Sequence, residues 1–463
     1  MTTAKTDRFP GQIRFIVGNE ACERFSFYGM RSILVVFMVG HLLMAKSEST
    51  ALYHYFVSAC YLFPLLGAWI ADRFWGKYKT ILILSLGYCL GHGILAMFDS
   101  KAGLYAGLFF IALGSGGIKP CVSAFVGDQF TSKNKHLVKS VFDVFYWAIN
   151  FGSFFSTMLI PWVLDRFGPS WAFGIPGVLM AIALFIFWLG RAQYVNAPPT
   201  RTTGSVGFIP IFWYSLTNWN RQGGGFWGPA RKKFKAADVE AAEAAGAIFK
   251  VFATVSIFWA LFDQHGSSWV LQAQQMNLNV LGMKFKASQI AALNPLMVMG
   301  LIPIFAYGVY PGIEKLFGVA MTPLRRMSVG MVLAALSFVA AGLVQVALDE
   351  GIQISVAWQF IQYILITVSE VMISITGLEF AYTQAPRSMK STIMSFWLLT
   401  VFAGNMITAW IAEINVFKGA AFFFFFAGLM AAVSVIFIWS AARYKPREYF
   451  EEQPALDPAY EEN

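Results

Sequence analysis

Charge is scarce in this 463-residue chain: Asp, Glu, Lys and Arg supply 13% of it, against 57% apolar residues. That balance excludes an ordinary soluble domain. Cysteine is scarce as well. Cys22, Cys60, Cys89 and Cys121 all fall in apolar stretches without metal-ligand spacing, so they read as small packing residues and not as a disulfide framework. No GxxxxGK[ST] run occurs, which leaves nothing for direct ATP coupling. No nucleophile–base pairing or metal-ligand motif supports an enzyme, and no cofactor is expected. The opening segment MTTAKTDRFPGQIR is polar and enters the first apolar run without a cleavable signal.

What fills the chain is apolar runs of bilayer-spanning length, about 20 residues each. Twelve are read, at 13–44, 50–72, 78–98, 103–127, 139–162, 171–190, 247–275, 289–310, 322–348, 354–384, 391–415 and 418–442. The net charge of +9 invites a nucleic-acid reading, but most of the 34 Lys and Arg fall in loops on one side. That asymmetry is the positive-inside pattern, so both termini are expected in the cytoplasm and no nucleic-acid partner is expected. The expected location is a cell (inner) membrane, as an integral multi-pass protein working as a monomer in the lipid bilayer.

One long interruption, 191–246, contains Pro198-Pro199, the Gly223–Gly225 run and the basic cluster Arg231, Lys232, Lys233, Lys235. It ends in KAADVEAAEAAG, an Ala/Glu-rich segment expected to form a short surface helix. The predicted organisation is therefore an N-terminal bundle (1–190), a cytoplasmic linker (191–246), a C-terminal bundle (247–442) and a cytoplasmic tail (443–463). Two six-helix bundles around a midplane cavity form the architecture of a rocking-switch carrier. The fold class expected is an all-α polytopic membrane protein with twelve transmembrane helices in those two bundles.

Inside the first run stands EACERFSFYGMR, with Glu20, Glu23, Arg24 and Arg31. Charges near a bilayer centre cost a few kcal/mol or more, so they face a protein interior or a wet cavity. Glu20, Glu23 and Arg24 share one helical face at i, i+3 and i+4. Such a carboxylate–arginine cluster can take up and release a proton; the plainer alternative is an ion pair locking two helices. Lys119, after the small-residue run GSGGI, is a further charge placed deep in its span.

Several motifs resemble known sequences. GAWIADRFWGKYK (67–79) is similar to the loop signature of the major facilitator superfamily, with Gly67 allowing close helix approach and Lys77 and Lys79 anchoring the turn. EACERFSFYG (20–29) resembles the ExxERFxYYG motif of the proton-dependent oligopeptide transporters. GSGGIKPCVSAFVGDQF (114–130), FYWAINFGSFFS (145–156), FWALFDQHGSSWVLQAQQM (258–276) and SEVMISITGLEFAYTQAPRSMKS (369–391) look like that family's fourth-, fifth-, seventh- and tenth-helix segments. The matches run in family order through both halves, in a twelve-helix, mammalian-like variant.

The resemblance implies proton-coupled symport of di- and tripeptides by alternating access, with the proton as coupling ion. By that resemblance Arg31 and Lys119 hold the peptide carboxylate, and Glu370, helped by Asn294, holds the amine. Tyr28, Tyr61, Asn150, Trp259 and Trp397 match family pocket positions, although in so aromatic a chain each reads equally as packing. Phe27 stands where the family motif has its first tyrosine, one hydroxyl fewer. The proton-coupling set is Glu20, Glu23, Arg24, His54 and Asp263. His54 matches a second-helix histidine of the mammalian-type carriers, and on the residues alone it reads equally as a hydrogen-bonded interface histidine. Arg31 with Asp263, and Lys119 with Glu370, are the expected charge pairs across the halves. The alternative within transport is the same scaffold carrying another small anionic or zwitterionic solute. A channel would show rings of like residues, which are not seen.

Overall fold

The computed structural model describes residues 9–131, 134–196, 199, 206–219 and 225–444. Of the segments singled out above, the first eight residues, Pro198, Gly223, Gly224 and the tail from 445 lie outside the described residues.

Hydropathy alone finds ten stretches able to cross a membrane. Among the described residues the helices make twelve spans, and the difference has two physical causes. The first helix, α1 (Ile13–Gly40), carries the four charges named above, and they sink its mean hydropathy. The stretch Lys46–Met97 is two helices, α2 (Lys46–Ile70) and α3 (Gly76–Met97), run together through a π-helical turn at Ala71–Trp75. Gly76, at φ 73°, makes the reversal between them, a backbone position that favours glycine.

α4 (Lys101–Asp128), α5 (Val138–Phe167) and α6 (Pro169–Leu189) complete the N-terminal half. Its apolar core runs from Ile13 to Tyr194 and takes in Leu271 of the other half; a second core runs from Phe208 to Phe437, and Tyr61 packs against both. Small residues set the closeness of the N-terminal helices. A Cβ on Gly67 of α2 would lie 2.4 Å from the Gly117 Cα of α4, so the two backbones touch there. Lys77 pins the turn after α2 by an ion pair of 2.6 Å to Asp128 at the end of α4.

The linker holds α7 (Phe208–Asn218) and α8 (Gly228–Lys233). The Ala/Glu-rich segment is helical, but it is not a separate surface helix. It forms the first turns of α9 (Ala236–Phe262), continuous with the seventh span. Val239, Ala242 and Ala245 are buried there with Phe208, Ile211 and Ala230. The alanines therefore pack against α7 and α8, where a solvent-facing reading had placed them in water.

Several spans of the C-terminal half are interrupted. A 3₁₀ turn, Asp263–Gly266, separates α9 from α10 (Ser268–Ala273). A two-residue hairpin pairs β1 (Asn279–Val280) with β2 (Met283–Lys284). A 3₁₀ segment, Ala287–Ala292, leads into α11 (Leu293–Pro303), and a π-helical turn, Ile304–Val309, joins that to α12 (Tyr310–Phe317). α13 (Pro323–Asp349) is unbroken. α14 (Gln359–Glu370) and α15 (Thr376–Gln384) flank a third π-helical turn, Val371–Ile375. α16 (Lys390–Ile414) and α17 (Ala420–Arg443) finish the bundle. The halves meet where α2 packs on α16 and α5 on α11. Asp263 opens one break and Glu370 ends the helix before another. Breaks of this kind free backbone groups and re-aim side chains at membrane depth.

Candidate substrate and proton site

The helical spacing of α1 brings its charges together. Arg24 Nε lies 2.7 Å from Glu20 Oε1 and 2.8 Å from Glu23 Oε2. The single Nε–H is directed at Glu20, so neither Glu23 oxygen completes a hydrogen bond. Glu23 is 0% exposed.

Two turns along the same helix, Arg31 reaches into the other half. Its Nε donates to the Tyr53 hydroxyl at 2.6 Å and its Nη2 to Asp263 Oδ1 at 2.5 Å. Asp263 Oδ2 accepts from Asn405 Nδ2 at 2.7 Å. Asn405 Oδ1 lies 2.7 Å from His54 Nδ1, and His54 Nε2 lies 2.8 Å from Ser267 Oγ. The carboxylate can only accept, so it fixes the amide with its oxygen toward the histidine. Nδ1 of His54 then carries a hydrogen toward Asn405, and Nε2 shares a hydrogen bond with the Ser267 hydroxyl. The network thus alternates between halves: α1 and α2 on one side, the α9 break and α16 on the other. His54 is both a buried interface histidine and a member of the charged cluster.

Lys119 and Glu370 are not in contact. Among the described residues, Lys119 has no carboxylate within ion-pair distance. Its Nζ stands 4.4 Å from the Phe27 ring centroid and 4.9 Å from that of Tyr61. Phe27 therefore supplies an aromatic face to the ammonium, a role that needs no hydroxyl. Glu370 Oε2 accepts from Asn294 Nδ2 at 2.7 Å, and that amide also donates to Thr367 Oγ1 at 3.2 Å. Lys119 and Glu370 are each only partly buried. They are opposite charges on opposite halves, held by neutral neighbours.

The aromatic and amide positions are divided. Tyr61 packs against the cores of both halves, and Tyr28 meets Phe27 edge-on at 5.5 Å. Trp259 and Trp397 meet edge-on at 6.0 Å, and the Trp259 indole N–H is buried without a partner. Asn150 donates to the Tyr146 carbonyl of its own helix at 2.9 Å.

Sequence reasoning missed Tyr53, Ser267 and Asn405. Asn405 carried a usable signal, a lone amide in an apolar span. Tyr53 and Ser267 carried none beyond adjacency to a motif. Further bridges between halves cluster on the face opposite the termini. Lys286 Nζ meets Asp165 Oδ2 at 2.6 Å, Gln289 donates to the Met158 carbonyl at 2.7 Å, and the Tyr55 hydroxyl donates to Glu413. That face is closed.

The model of the PTR2 family, described as the POT family, matches residues 78–223 and 224–420. The chain is 38% identical over 397 residues to human "Solute carrier family 15 member 2", covering 80% of this chain and 54% of that protein. It is 39% identical over 357 residues to "Peptide transporter family 1" of Drosophila melanogaster, covering 72% and 48%. The chain thus spans about half the length of the curated relatives it matches. Among solved structures, an auto-inhibited POT family peptide transporter superposes with TM-score 0.88 at 41% identity, covering 96% of this chain and 99% of that one. A POT family transporter crystallised in meso gives TM-score 0.86 at 42% identity, covering 94% and 98%. With its long apolar helices, the chain is an integral, multi-pass membrane protein of the POT family.

Proposed function

We propose that the protein is a proton-coupled symporter of di- and tripeptides that works by alternating access. The observation that carries this reading is the network Tyr53–Arg31–Asp263–Asn405–His54–Ser267, which ties the two halves through charges of opposite sign. The names of the relatives, peptide transporters, support the substrate class.

A peptide is a zwitterion with a fixed backbone and arbitrary side chains. A tolerant site clamps its termini, which needs buried positive charge on one wall and negative charge on the other. Arg31 and Lys119 meet the carboxylate, and Glu370 with Asn294 meets the amine. The planar fork of Arg31 suits a carboxylate and now holds Asp263, so peptide and Asp263 compete for it. Protonation of Asp263 or His54 weakens the tie between halves, and Glu23, with Glu20 and Arg24, stores a proton beside it. Each 1.4 kcal/mol of difference moves the ratio of conformers about tenfold, so loss of one desolvated pair is a sufficient switch. Tyr28, Tyr61, Asn150, Trp259 and Trp397 line the pocket. The protein works as a monomer without cofactor or enzymatic step, in a cell inner membrane with both termini cytoplasmic, as the distribution of Lys and Arg supports.

The test is uptake of a labelled dialanine into proteoliposomes under an imposed inward proton gradient, with and without a protonophore. Concentrative uptake that collapses with the protonophore, and that unlabelled di- and tripeptides suppress while free amino acids do not, is the expected result. Folded protein with no gradient-dependent uptake refutes the reading and turns attention to other anionic or zwitterionic solutes.

A further inference from the structure

The N-terminal half contains polar groups that its apolar packing does not explain. Asn19 and Glu23 on α1, Ser85, Tyr88 and His92 on α3, and Ser115 on α4 are each at most 1% exposed. Both amide atoms of Asn19, both oxygens of Glu23, both ring nitrogens of His92 and the hydroxyls of the other three lack hydrogen-bond partners. Groups of this kind are rare in folded proteins, and internal water is their usual partner.

Their placement is ordered. Asn19 and Glu23 are one turn apart on α1, and Ser85, Tyr88 and His92 occupy one face of α3 at i, i+3 and i+7. The Tyr88 hydroxyl is turned toward both Glu23 and Ser115 without completing a bond to either. His92 stacks on the Tyr88 ring at 5.2 Å and 17° and faces the Phe173 carbonyl of α6. From Ser85 to His92 the row spans about 10 Å along the helix axis. Its His92 end lies toward the face that the bridges between halves close.

We propose that these side chains hold a file of internal waters that delivers the coupled proton to Glu23 through the N-terminal bundle, apart from the peptide cavity. The proposal rests on the assignment of Glu23 as a proton site. Proton and peptide then enter by different routes, and the carboxyl can be loaded while the network Arg31–Asp263–His54 keeps that face shut. A hop along such a file passes a proton from one oxygen or nitrogen to the next, with no net change in the file after it reorients. The ionisable groups facing it are Glu20 and Arg24 of α1, Cys60 of α2 and Lys119 of α4, with a backbone carbonyl from α6. Arg24 and Lys119 flank the Glu23 end, and among the described residues no charged group faces the His92 end.

The experiment compares proton-driven uptake with peptide counterflow, which needs no net proton movement, in proteoliposomes of the full chain. His92→Leu and Tyr88→Phe are expected to slow proton-driven uptake about tenfold, the scale of one lost buried hydrogen bond, and to leave counterflow intact. His92→Gln, which can still hold water, is expected to stay near the parent rate in both modes. Intact counterflow certifies the fold, and Tyr88→Phe carries the test where His92→Leu fails to fold. Full proton-driven uptake in both apolar variants, or an equal fall in both modes, overturns the file. Glu23→Gln is the control: if it too keeps full proton-driven uptake, the assignment of Glu23 itself is wrong, whereas its loss beside normal file variants removes the file alone.

Discussion

At the level of single residues, what the sequence reveals is the charges, because a charge in an apolar span needs a reason. Glu20, Glu23, Arg24, Arg31, Lys119, Asp263 and Glu370 were all legible for that cause, and Arg31 with Asp263 is an observed pair at 2.5 Å. The partners that neutral groups choose were not legible. Lys119 does not reach Glu370, which is held by the Asn294 already named beside it, and Asn405, not named at all, joins Asp263 to His54, because these contacts arise only when distant spans meet. Two expectations belong here. Glu23→Gln should abolish proton-driven uptake while counterflow persists, measured in proteoliposomes; concentrative uptake at the parent rate contradicts the role. Asn405→Leu leaves the Asp263 and His54 atoms it served without partners, at a cost of about 1–3 kcal/mol. Thermal unfolding in detergent should shift down and uptake should fall; no change in either removes Asn405 from the link.

Among the elements, the existence of twelve spans was readable from hydropathy and spacing, whereas their interruptions were not. The breaks at Asp263–Gly266, Ile304–Val309 and Val371–Ile375 follow from packing of one span against another, which a run of apolar residues does not encode. The same blindness separated the Ala/Glu-rich segment from α9, since alanine suits a buried face and a solvated one alike. Close helix approach, by contrast, is encoded in glycine. Gly67→Ala would place a Cβ 2.4 Å from the Gly117 Cα, and backbone cannot yield cheaply. It should cost about 1–3 kcal/mol, read as a lower melting temperature. Gly87, which has nothing within 4 Å of its Cβ position, gives the contrast: Gly87→Ala should be neutral or slightly stabilising. Equal melting temperatures for the two variants would contradict the close approach of α2 and α4.

For the whole molecule, the two cores and the bridges between them describe a protein closed on the face opposite its termini. The Lys286–Asp165 ion pair and the Tyr55–Glu413 hydrogen bond sit at the exposed rim of that closure, where each contributes about 0–1 kcal/mol. Asp165→Asn with Tyr55→Phe should therefore shift the balance of conformers by at most about fivefold per contact. Spin-label distances between the outer ends of α2 and α16 should show a growing long-distance population. An unchanged distribution would assign the closure to the buried network alone.

The charges of α1 also bear on how the chain enters its membrane. Each Arg or acidic residue at the centre of a helix raises its apparent insertion free energy by roughly 2.5–3.5 kcal/mol, and α1 carries four such residues. Presented alone to the translocation machinery, the first span should be rejected more often than retained. The aromatic and apolar α2, running without pause into α3, must then hold it in place as the nascent chain emerges. Glycosylation reporters fused after α1, and after α3, would show the first fusion mixed in topology and the second uniform. Function at maturity would thus be set against efficiency at birth.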